Sequence, residues 1–86
     1  MNADEVVNAF RRVWRRARGI ATTITERLTD RERMIAGDIM RSAQQFATEL
    51  LSKEHTPTKL ADLDRTARHL DGMLDRIDAA AKERTA

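Results

Sequence analysis

The residues with the clearest chemical potential are five arginines in the first quarter of the chain, Arg11, Arg12, Arg15, Arg16 and Arg18. Guanidinium groups gathered on successive helical turns make a positive field that attracts phosphates, and each can fork onto two phosphate oxygens. Nucleic-acid contact through these five residues is therefore one expectation. Against it, an arginine face on an amphipathic helix is most often simply a solvated face. Two phenylalanines, one tryptophan and no tyrosine are also too few for a base-stacking platform. The same helix, with Phe10 and Trp14 opposite its arginines, has the form of one that lies in a membrane interface. A Trp14 that covers the edge of a helical core is the simpler reading, so membrane binding is not expected.

The acidic counterpart lies near the other end. Asp64, Asp71 and Asp78 recur every seven residues on one flank of a helix, with Asp75 beside them. Asp64 with Arg68 and Asp78 with Lys82 have the i,i+4 spacing of a local ion pair. Asp71 has no such partner, because position 75 is another aspartate. The patch of Asp71, Asp75 and Asp78 is accordingly expected to receive a basic surface, such as the first helix of a neighbouring chain.

Catalysis finds little support. His55 and His69 stand apart from any Ser or carboxylate set at nucleophile spacing, and there is no cysteine. The Glu-x-x-His pattern of di-iron bundles is absent. Met34, Met40 and Met73 are scattered and read as core filler. Neither enzyme activity nor a metal or cofactor is expected.

The elements that must position these residues are helices. From Leu60 to Ala81 apolar residues fall at alternating spacings of three and four: Leu60, Leu63, Ala67, Leu70, Leu74, Ile77 and Ala81. On a heptad these fill a and d, the seam of a helix packed along another helix. A second stripe, Val6 to Leu28, keeps its phase across Gly19 and predicts a helix over 3–28. A third, Ala36 to Leu50, needs a new origin and predicts a helix over 30–54, opened by Thr29 and Glu32 as a capping box. Thr56 as N-cap with Pro57 at the first helical position opens the last helix, over 57–83. The connection near residue 29 is then only a residue or two long, so one bent helix over 3–54, closed by dimerisation, is the alternative.

Eighty-six residues make one domain at most, 1–86, burying about 60–65% of the unfolded surface. Such a thin core favours self-association. No apolar run is long enough for a bilayer span, and a secretory signal is not evident, which suits a cytoplasmic protein. Thirteen of the sixteen basic residues are arginine, a bias that a GC-rich bacterial genome can produce. Their distribution is more telling, since residues 1–20 hold five arginines against two acids while the rest of the chain is nearly balanced.

The expectation is an all-α, three-helix up-down bundle, a dimer or higher oligomer. Its work would be to bind a protein partner or another copy of itself through Trp14, Met40, Leu63, Leu70 and Ile77, with Asp71, Asp75 and Asp78 as the charged complement. A nucleic-acid-binding accessory protein using the arginines is the competing expectation.

Overall fold

Each helix starts on a side chain that satisfies its first free amides. Asn2 Oδ1 accepts from the Glu5 amide at 2.9 Å, Thr29 Oγ1 from Glu32 at 3.1 Å, and Thr56 Oγ1 from Lys59 at 3.1 Å. Glu32 returns the bond to the Thr29 amide, completing the capping box. The computed structural model describes residues 1–84, in which these starts open α1 (Ala3–Thr22), α2 (Asp30–Ser52) and α3 (Pro57–Glu83).

The first helix ends six residues earlier than its apolar phase predicts. Thr22, Thr23, Ile24 and Thr25 are all β-branched and lose side-chain freedom in a helix. Two of their hydroxyls take the last helical carbonyls instead, Thr22 Oγ1 donating to Arg18 O at 2.8 Å and Thr23 Oγ1 to Gly19 O at 2.5 Å. Thr23 is extended, and the connection runs through residues 23–29. That length allows a full reversal, so helices one and two are separate and the bent-helix alternative is excluded. Ile24, placed in the stripe by spacing, is 85% exposed, whereas Leu28 folds back onto the core. Gly19 does lie inside α1, as the unbroken phase implies.

Long-range contacts set the directions. The rings of Phe10, early in α1, and Phe46, late in α2, stack with centroids 5.1 Å apart. Arg16, late in α1, reaches Asp71 and Asp78, late in α3. Arg84, at the end of α3, meets Glu32 at the start of α2. The helices therefore run up, down and up. The molecule measures 45 × 18 × 15 Å, its long axis about that of α3, which is ~40 Å at ~1.5 Å per residue.

The core is apolar throughout, with no polar or charged residue buried among those described. The first helix is the shortest, yet buries Val6, Val7, Phe10, Val13, Ala17 and Ile20, and it is the helix against which both others pack. The face of α3 is filled by the same chain: Leu60, Leu63, Ala67, Leu74 and Ile77 are buried, and Leu70 is packed against them.

One polar tie closes the end of the bundle where α2 starts. Arg84 pairs with the Glu32 carboxylate and also donates to the Arg27 carbonyl at 2.7 Å. Hydrogen bonds from Arg84 and from the Thr29 amide hold the Glu32 carboxyl down to about 2, from an ordinary 4.5. A lowered acid pKa means stability that is present in full above the unfolded value and lost as the pH falls toward the folded one.

Two outcomes follow. In thermal melts across pH, the wild type should lose this contribution between about pH 4.5 and pH 2, and Glu32→Gln, already less stable at neutral pH, should lose less over the same window. An added Cβ at Gly19 or at Gly72 meets nothing within 4 Å. Gly19→Ala and Gly72→Ala should each raise stability by about 0.5–1 kcal/mol, read from denaturant midpoints.

Candidate functional site

The five arginines of α1 do not form one surface, because the helix turns them toward different neighbours. Arg16 flanks the seam on the side of α3, and its guanidinium is gripped by three carboxylates: Asp71 at 2.8 Å, Asp75 at 2.6 Å and Asp78 at 2.6 Å. It also donates to the Asp71 carbonyl at 3.3 Å. Partial burial works against the charge, but the hydrogen bonds from Arg16 to Asp78, Asp75 and Asp71 outweigh it and its pKa is raised. Arg16 thus fills the place that a cation or a foreign basic surface would take. The acidic patch is answered by helix one, though by that of the same chain.

Arg12 lies beside Arg16 on the same side, in a depression shared with Asp64, Ala67 and Arg68. Arg68 is itself paired with Asp64, the local pair its spacing predicts. Asp78 faces Arg16.

Arg11, Arg15 and Arg18 lie on the other side of α1, toward α2. Spacings of four and three put them on one stripe. Among the described residues, neither Arg11 nor Arg15 has a carboxylate within ion-pair distance. Arg18 lies over the Trp14 ring, 5.7 Å from its centroid, in cation–π contact.

Arg11 and Arg15 border a groove of about 390 Å³ between α1 and α2. Phe10, Trp14, Ala43, Ala47 and Leu51 give it an apolar lining, with Arg11 and Arg15 on one rim and Gln44 and Thr48 on the other. The hollow exists because Ala43 and Ala47, one turn apart on α2, face the bulk of Phe10 and Trp14. Leu51 is 62% exposed at its edge. The Trp14 indole nitrogen is shut away from solvent and has no hydrogen-bond partner, the one buried side-chain polar atom among the described residues in that state. No acidic residue and no residue of α3 lines the groove.

The interface residues expected from sequence therefore separate into two sets. Leu63, Leu70 and Ile77 are consumed by the core of their own chain, and Asp71, Asp75 and Asp78 by Arg16. The seam of α3 is thus filled within the chain. Trp14 and Met40 sit at equivalent heptad positions and are half-buried at the margin of the core, with Trp14 in the groove. Sequence reading missed Ala43, Ala47 and Leu51 as groove residues. The available signal was a small residue at a and e of α2 opposite a tryptophan at e of α1.

The histidines stay apart. His55 contacts the Glu49 carbonyl at 3.2 Å in the turn before α3, and His69 is exposed. Among the described residues no three His, Cys, Asp or Glu side chains gather as a metal ion would need, and no helix is long and apolar enough to cross a membrane.

The two kinds of arginine should separate in stability measurements. Arg16→Gln leaves three carboxylates facing one another and should cost about 1 kcal/mol, more at low salt than at high, given the partial exposure of the cluster. Arg11→Gln and Arg15→Gln remove no contact of the fold and should stay within about 0.5 kcal/mol of wild type. In comparisons with known proteins, no family model, no curated protein and no solved structure matches this chain, so its function has to be read from the groove and the charges around it.

Proposed function

We propose that this chain is a small non-enzymatic binding module that takes a protein partner on the α1–α2 face. The observation that carries the reading is the groove itself: an apolar floor, one exposed leucine, and a rim of guanidinium groups that no carboxylate among the described residues neutralises. An apolar centre with arginine and tryptophan at its edge is the composition of a protein-binding surface, in which aromatic and arginine side chains carry most of the energy. Phosphate recognition would use the arginines alone and has no need of Leu51 or the alanine floor. Nucleic acid is therefore the lesser reading of the same face.

Affinity capture from nuclease-treated extract of the native cell separates the two. Wild-type protein should retain partners that Leu51→Asp and Arg15→Glu both lose. Retention of the same proteins by both variants, or loss of all partners on nuclease treatment alone, would overturn the reading.

A further inference from the structure

The groove that carries the proposed function has two unlike rims, and the difference specifies what fits it. On α1 the rim is Arg11 and Arg15, and Arg18, over the Trp14 ring, continues the same stripe beyond the groove. On α2 it is Gln44 and Thr48, polar and uncharged. The lining runs from Phe10 to Arg15 along α1 and from Ala43 to Leu51 along α2, roughly 8 Å of the first helix and roughly 12 Å, about two turns, of the second.

A trough between two helical ridges, apolar at the bottom and two turns long, is the receptor geometry for an amphipathic helix. We infer that the occupant is an acidic amphipathic helix of a partner protein, with apolar residues at i, i+3 or i+4, and i+7 in the trough. Its Asp or Glu side chains lie on the flank toward Arg11, Arg15 and Arg18, and neutral polar ones on the flank toward Gln44 and Thr48. The bound state is a four-helix arrangement in which flanking charges fix the orientation of the added helix. This rests on the reading of the α1–α2 face given above and adds the class of partner.

A second copy of this chain does not meet the description. Every aspartate of α2 and α3 is paired inside the chain, and the glutamates of these helices outside ion pairs, Glu49 and Glu83, stand singly, so neither helix offers an apolar stripe flanked by a row of free acids. The charge that the arginine rim lacks has to come from a different molecule. Charge complementarity of this kind speeds the encounter and selects the partner more than it deepens affinity, so binding should weaken as salt rises.

Trp14 is the only tryptophan in a chain without tyrosine and sits in the groove, so its emission reports occupancy directly. The probes are three-heptad peptides without aromatic residues: leucine at a and d, glutamate on one flank, glutamine on the other. A control peptide carries lysine in place of glutamate, and a duplex of about 20 base pairs tests polyanions. The acidic peptide should shift Trp14 emission, bind at least tenfold tighter than the lysine peptide, and weaken about tenfold between low salt and ~0.5 M.

Leu51→Asp should lower its affinity about tenfold or more, as the loss of an edge anchor predicts. Arg15→Glu should narrow the preference from both sides, the lysine peptide gaining affinity while the acidic one loses it; this gain cannot come from a folding defect. Equal binding of both peptides, no change in Trp14 emission, or a response to the duplex alone would overturn the inference. If the acidic peptide fails while cellular capture still depends on Leu51 and Arg15, only the partner class falls. If capture is indifferent to both variants, the reading of the face falls with it.

Discussion

One face of α1, buried from two sides, is the constraint on which everything else depends. Phe10 and Ala17 are fully enclosed, and Val6 lies beside them with no exposed surface. A chain of this length is stabilised by only about 4–13 kcal/mol in all, while truncating a buried phenylalanine costs about 3–5 kcal/mol. The first helix therefore has almost no latitude on its inner face. Its outer positions are free of that demand, and the arginines occupy them.

Because the interior is apolar throughout, burial alone cannot choose between neighbouring registers of the helices, since the hydrophobic effect has no direction. The directional contacts are at the flanks. Arg16 against Asp71, Asp75 and Asp78 fixes α1 along α3, and Arg84 against Glu32 and the Arg27 carbonyl fixes the end of α3 along the start of α2. Each contact is modest in energy because it is partly exposed. Their value is geometric: a slide of either helix by one turn, about 5 Å, would break the cluster entirely. A charged flank thus does for this bundle what a buried polar residue does in other helical assemblies.

The helices themselves were legible in the sequence because each has a local cause. Thr29 with Glu32, and Thr56 with Pro57, are start signals that act within one turn, and the stripes of α2 and α3 give their faces directly. The end of α1 was misread because apolar phase continued through Ile24 and Leu28, while the actual stop is made by threonine hydroxyls competing for the last carbonyls. The acidic patch was recognised as needing a basic helix, and helix one was the right one. What spacing could not show was that α1 and α3 run parallel within a single chain, which brings the g position of Arg16 against the e positions of Asp71 and Asp78. The groove was less legible still, because it is defined by what Ala43 and Ala47 leave empty, and emptiness has no periodicity.

The arginine content of the chain has a bland explanation in genome composition, yet composition governs number and not placement. Residues 6–22 contain five arginines and no acid, while α2 and α3 interleave both signs and pair four of their seven aspartates locally, the other three meeting Arg16. Like charges one turn apart, such as Arg11 and Arg15, destabilise a helix by a few tenths of a kcal/mol per pair. A single Glu on the outer face of α1 would relieve this at no cost to the core, and α3 shows that the chain uses that device elsewhere. Among the described residues, Arg16 is the α1 arginine that carboxylates of the fold compensate. Arg11 and Arg15 of the uncompensated stripe border a groove whose floor is apolar and whose lining holds no acid among the described residues, so the charge and the groove belong to one surface.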